Sequence, residues 1–117
     1  MQLGYARTDL RRQLVDAVLR GDKTATAGLR EEQETLAWPG QRALLLGYDD
    51  EPVGVIEVTE VRVVRAGDVD DQFARDEGEG YDTVAGWREA HERFFSEHEI
   101  TDDTLFVLER FRLLRRV

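Results

Sequence analysis

The sequence predicts an α+β fold, a small curved sheet or β-barrel flanked by helices. Two segments carry apolar residues at three- and four-residue spacing, several others alternate apolar and polar residues, and the two kinds do not alternate regularly along the chain. Strands without a regular βα repeat favour a mixed or antiparallel sheet, and curling it is the economical way to bury a few short strands. With 117 residues, 41% of them hydrophobic, the chain suits one core. No repeat, low-complexity tract or linker divides it, so residues 1–117 are expected to form a single domain.

The first helix follows Thr8, a capping residue. Leu10, Leu14, Ala17 and Val18 recur at helical spacing, and Arg20-Gly21 supplies a cationic last turn and a stop. Residues 24–29 form a short strand of small residues that let another group approach the backbone closely, and residues 31–34 form an exposed turn. Trp38-Pro39-Gly40 turns the chain into a strand over 42–48, and Asp49 to Pro52 turns it again into a long strand over 53–64, so the pair is expected to be a hairpin. Gly54 marks a bulge or a close approach.

A short helical turn follows over 70–75, and the acidic, glycine-rich stretch 76–81 is a loop. The second long helix spans 83–98, gathering Val84, Trp87, His91, Phe94 and Phe95 on one face, with Trp87 and Phe94 expected in the core. A last strand over 104–114 turns Leu105, Val107, Phe111 and Leu113 to one face, which Glu109 interrupts.

The chain contains no cysteine, so disulfides, Cys-based zinc sites and thiol catalysis are excluded. The acidic stretch 68–82 lacks calcium-loop spacing, and neither a metal nor another cofactor is expected. No apolar run reaches the roughly 20 residues of a membrane span, and the N-terminal segment has no apolar secretory core, which makes the cytoplasm the expected location. A formal charge of −9 disfavours sequence-independent wrapping of nucleic acid, although arginines cluster at 10–12, 62–65 and 110–116. If RNA is a ligand, a short segment or a single nucleoside fits this charge better than a long duplex.

Taken singly, the candidate chemical residues have ordinary explanations: Lys23 can follow a helix end, Thr26 can fill a strand, Glu77 can be one more loop charge, and His91 can pack beside Trp87. Their combination is more specific. The block Gly21-Asp22-Lys23-Thr24-Ala25-Thr26 precedes Glu77-Gly78-Glu79-Gly80 and Trp87-Arg88-x-x-His91-x-x-Phe94-Phe95. Found in this order over nearly the whole chain, these blocks resemble the ASCH family, which has a PUA-like fold.

The resemblance implies work on RNA or nucleosides. Some family members hydrolyse the exocyclic amide of N4-acetylcytidine with a lysine, a threonine and a glutamate, and others are reported to cleave RNA. By motif match these residues fall on Lys23, Thr26 and Glu77, with Glu79 an alternative to Glu77. Thr24, Glu79, Tyr81, Trp87, Arg88 and His91 are the expected substrate contacts, with an aromatic ring available to stack on a base. The common pattern G-x-K-x-x-E-x-R is not met, since Thr26 and Gly28 stand where glutamate and arginine would be.

In the implied chemistry Lys23 activates Thr26 or a water, which requires desolvation to lower its pKa, and Glu77 relays a proton. Two classes of function follow: a metal-independent hydrolase acting on a modified pyrimidine nucleoside or single-stranded RNA, and a PUA-like RNA-binding module without chemistry. The expected partner is single-stranded RNA or a modified nucleoside, with no membrane and no DNA expected; the oligomeric state is open.

Overall fold

The computed structural model describes all 117 residues. Helix α1 (Asp9–Arg20) leads into strand β1 (Ala25–Leu29), then come strands β2 (Arg42–Leu46) and β3 (Pro52–Arg65), helices α2 (Asp71–Asp76) and α3 (Val84–Phe94), and strand β4 (Leu105–Arg116). Single 3-10 turns at residues 30–32 and 66–68 follow β1 and β3. The strands form one antiparallel sheet in the order β1-β4-β3-β2. The α+β fold is as expected, but the sheet does not close: β1 and β2 remain its two edges, so the expected barrel is an open curved sheet. Met1 partly covers the β2 edge, its amine donating to the Leu44 carbonyl and its own carbonyl accepting from the Leu46 N–H.

Local chemistry accounts for most boundaries. Thr8 caps α1 by accepting the Arg11 N–H at 3.1 Å, and Gly21 ends it in a left-handed conformation. Asp70 caps α2 and Thr83 caps α3 in the same way as Thr8. The β2–β3 hairpin turns through Asp49-Asp50, and its register slips next to Gly54, where an added Cβ would lie 3.1 Å from Leu113 Cδ1 and 3.3 Å from the Arg115 carbonyl.

The second long helix ends at Phe94, earlier than the expected 98. Phe95 leaves helical geometry (φ −101°, ψ 44°) and its ring packs against the core, 6.2 Å from Phe106. Phe94, expected in the core, is 48% exposed. β4 also differs from the single apolar face expected of it. As a central strand it is covered on both sides, so Phe106 and Leu108 enter one core while Phe111 enters the other, and Leu105 is the exposed end.

The two cores divide the molecule. In the first, Trp87, Phe73 and Ala74 of α3 and α2 pack on Ala25, Leu29, Phe106 and Leu108. In the second, Leu14, Val15 and Val18 of α1, with Leu3, pack on Leu45, Ile56, Val58 and Phe111. Between them, where the end of α1 meets β1 and the loop after α2, lies a set of buried polar groups.

Candidate active site

Four polar or charged side chains are buried: Arg11, Lys23, Glu77 and His91. Burying an ionisable group is unfavourable unless its charge is paired or suppressed, so each needs an account. Lys23 lies just before β1, and its Nζ donates to the Ala25 carbonyl (2.8 Å), the Glu77 carbonyl (3.2 Å) and Glu79 Oε2 (3.1 Å). An ammonium has three protons, and here each has an acceptor.

The loop that supplies two of these acceptors is held against Lys23 by Gly78. Its φ is +67°, and an added Cβ would fall 2.3 Å from the Asp22 carbonyl oxygen and 2.7 Å from Lys23 Cα. Only glycine lets residues 77–79 wrap this closely around the lysine. The Thr24 N–H donates to the Asp76 carbonyl at 2.9 Å, and Arg110 reaches Asp76 at 2.6 Å, tying the loop's start to β1 and β4.

Glu77 presents the sharper anomaly. It is 1% exposed, and neither carboxylate oxygen has a hydrogen-bond partner. The third buried side-chain atom without one is the Trp87 indole Nε1, a neighbouring donor that favours the ionised form of Glu77. Burial pushes the Glu77 carboxyl up to about 8, with the Lys23 charge opposing and the Glu79 charge reinforcing the rise. At neutral pH Glu77 is therefore a carboxylic acid. A protonated carboxyl beside a lysine-bound carboxylate is a pair that can give one proton and take another.

His91 completes the cluster. Burial holds its pKa below the usual imidazole value, so it is neutral at pH 7. Its Nδ1 lies 2.8 Å from the Trp87 carbonyl, which can only accept, so the proton is on Nδ1 and Nε2 is a bare acceptor. That acceptor faces Glu77 Oε2 at 3.6 Å. Trp87 stacks on the imidazole at 4.2 Å and fixes its plane.

These groups form the floor of a cleft of about 400 Å³. Lys23, Thr26, Glu77, Glu79, Tyr81 and His91 all line it, so most of the expected site residues come together. Burial first, and then the Glu79 and Glu77 charges, push the Tyr81 phenol up to about 12, so it stays a neutral donor. Three expected contacts lie elsewhere. Thr24 is exposed, its hydroxyl 3.4 Å from the Asp76 carbonyl. Trp87 is fully buried beneath His91 and unavailable for stacking. Arg88 binds Glu92 and Asp102, joining α3 to the loop before β4.

Other residues of the cleft carry no motif. Leu3, Gly4, Tyr5, Leu10, Phe94 and Phe95 line it as well. Behind Thr26 a second cavity of about 390 Å³ continues past Gln2, Gln33 and Gln41 to Glu109, whose carboxyl is raised by burial. Thr26 lines both spaces and pairs with Glu109 across β1 and β4.

A family model for the ASCH domain matches residues 2–115. Among solved structures, the chain is similar to an ASCH domain from Lactobacillus crispatus JV V101, with 33% identity over 88% of this chain and 71% of that one and a TM-score of 0.78. It is also similar to a protein from Enterococcus faecalis V583, with 28% identity over 97% of this chain and 74% of that one and a TM-score of 0.84. No curated protein matches it. The chain belongs to the ASCH domain family, which is PUA-like and associated with RNA.

Proposed function

We propose that this ASCH-domain protein is a small hydrolase that cleaves the exocyclic amide of an N4-acylated pyrimidine nucleoside, with Lys23, Thr26 and Glu77 at its centre. The observation that carries this reading is Glu77: a buried acid, protonated at neutral pH, without a partner, on the floor of an open cleft. A core carboxyl with no catalytic or binding task is normally hydrogen-bonded.

Amide hydrolysis needs a nucleophile made by losing a proton and an amine made by gaining one. Glu79, the carboxylate held on Lys23, is suited to take the proton from the Thr26 hydroxyl or from a water beside it as the oxygen attacks the acyl carbon. Glu77 is suited to protonate the N4 amine as the C–N bond breaks. With water as nucleophile the products are the carboxylic acid and the nucleoside, and passage of the proton from Glu79 to Glu77 restores the site; with Thr26 as nucleophile the acyl group is held as an ester that a water then hydrolyses, its proton passing to Glu77 while the Glu79 proton returns to the Thr26 oxygen. Three acceptors around Lys23 Nζ favour a fixed ammonium that holds both carboxyls and stabilises negative charge on the acyl oxygen, rather than a free-amine base.

Charge favours this small ligand over a polynucleotide. The arginines that cluster in sequence are largely neutralised: Arg11 by Asp50, Arg12 by Asp9, Arg62 by Glu60, Arg65 by Asp103, Arg110 by Asp76 and Arg112 by Glu57. No arginine lines either cavity that meets at Thr26. Polyphosphate binding depends on free cations releasing counterions.

The test is chromatographic, with wild-type and Lys23→Ala protein incubated with N4-acetylcytidine and, separately, with a short single-stranded RNA. Release of cytidine by wild type alone is expected. Cleavage of RNA without amide hydrolysis would replace this reading with a ribonuclease, and no turnover of either by folded protein would leave a binding module.

A further inference from the structure

We propose that Tyr5 and Phe94 form an aromatic clamp at the mouth of the cleft that grips the planar ring of the ligand and directs its exocyclic group to the floor. The inference rests on the reading of the cleft as a pyrimidine site and adds residues outside the recognised motifs.

Both rings are unusually exposed for large apolar groups, Tyr5 at 74% and Phe94 at 48%, and both line the cleft whose floor is Glu77. They come from unrelated parts of the chain, yet their planes lie within 24° of parallel with centroids 6.4 Å apart. Aromatic layers pack at about 3.5 Å, so a flat ring held between two others needs them about 7 Å apart. The 6.4 Å between centroids is an upper bound on the gap between the two planes, so the pair stands closed when empty and admits a ring by rotation of its two exposed side chains. Every base has a π-face, so such a slot selects planar rings without reading their edges.

The presentation of Tyr5 is built rather than incidental. Arg11, 1% exposed in its side chain, donates Nε to the Leu3 carbonyl (2.6 Å) and Nη2 to the Gly4 carbonyl (3.1 Å), while Nη1 reaches the Gly47 carbonyl and Asp50 (both 2.9 Å). Gly4 then turns at φ +65°, the Tyr5 carbonyl accepts the Thr8 hydroxyl at 2.7 Å, and Arg7 is held at φ +60° by its N–H bond to the Tyr48 carbonyl. A left-handed non-glycine residue is an unfavourable conformation that only surrounding bonds maintain. A segment fixed this firmly that leaves its aromatic ring in solvent is pre-organised for a ligand. On the other side, Phe95 is drawn into the core at the end of α3, which leaves its neighbour Phe94 at the rim.

The experiment measures cytidine binding by calorimetry and by the upfield ring-current shift of its H5 and H6 protons, for wild type, Tyr5→Ala, Phe94→Ala and Tyr5→Phe. Because both positions are exposed, the alanine variants are expected to fold, which circular dichroism checks. Each alanine variant should weaken binding about 10-fold, as expected for loss of one stacking partner, and Tyr5→Phe should bind as wild type. Unchanged affinity in both alanine variants, loss in Tyr5→Phe equal to that in Tyr5→Ala, or no wild-type binding at millimolar cytidine would each overturn the clamp. Its failure is separable from that of the hydrolase. Cytidine binding that depends on both rings, without hydrolysis of N4-acetylcytidine, supports the clamp and removes the hydrolase. Hydrolysis with an unchanged KM in both alanine variants does the reverse.

Discussion

Replacing Glu77 with glutamine keeps the shape of the side chain and removes its charge, which isolates the energetic consequence of burying an acid without partners. In the folded protein this carboxyl titrates near 8, against 4.5 for the ordinary group. Below pH 4.5 it is protonated in both the folded and unfolded chains and contributes no pH dependence. As pH rises past 4.5 the unfolded chain releases the proton while the folded chain retains it, so folding is disfavoured by about 1.4 kcal/mol per pH unit until the folded group also ionises near 8. At pH 7 the accumulated penalty is about 3 kcal/mol, of the size that moves the melting temperature of a domain this small by roughly 10 °C. Glutamine carries the same unpartnered polarity at every pH but does not titrate. Glu77→Gln should therefore gain stability over wild type progressively from pH 4.5 to 8, with the difference flat in acid. Urea unfolding of both proteins at pH 4.5, 6 and 7.5 measures it. A stability difference that stays constant across these pH values would refute the assignment of a buried, protonated Glu77.

The remaining predictions concern the same neighbourhood. Gly78→Ala places a Cβ inside contact distance of the Asp22 carbonyl and strains a left-handed backbone, so it should lose about 3 kcal/mol in chemical denaturation and lower turnover further by moving the 77–79 loop off Lys23. Arg11→Met strips three carbonyls of their donor and should also cost about 3 kcal/mol, against less than about 1 for the exposed Arg12→Met. If Glu77 is the acid that protonates the leaving amine, kcat should hold below pH 8 and fall above it; a kcat that instead rises through pH 8 would identify Glu77 as a base.

The parts of this molecule that were legible in the sequence are those whose causes are local. Thr8 and Gly21 bracket α1 because a hydroxyl and a left-handed glycine satisfy helix ends without outside help. The β2–β3 hairpin follows from its acidic turn. The end of α3 was not legible, since the apolar spacing continues through Phe95 while a tertiary contact with Phe106 draws that residue out of the helix. Likewise β4 was expected to have one apolar face because its place in the centre of the sheet is a property of topology, not of its own residues.

Within the site, motif spacing singled out Lys23, Glu77 and His91 as candidates, and the fold brings all three to the lining of one cleft. Sequence adjacency misled at Thr24 and Arg88, which share the motifs but point to other partners. Arg11 had a usable signal: it stands one turn before Leu14 and Val15, on the buried stripe of α1, and a cation there requires acceptors from elsewhere. Tyr5 had none, because the bonds that hold it over the cleft come from Arg11 and Thr8, and no periodicity marks residues 1–7.

The most direct test of the central claim is the rate at which wild-type and Glu77→Gln protein release cytidine from N4-acetylcytidine at pH 7. General acid catalysis contributes about 10²- to 10⁴-fold, so wild-type turnover with a loss of at least about 100-fold in the variant is the predicted result. Turnover by Glu77→Gln at the wild-type rate would contradict the account, leaving Glu77 a buried acid with no part in the reaction.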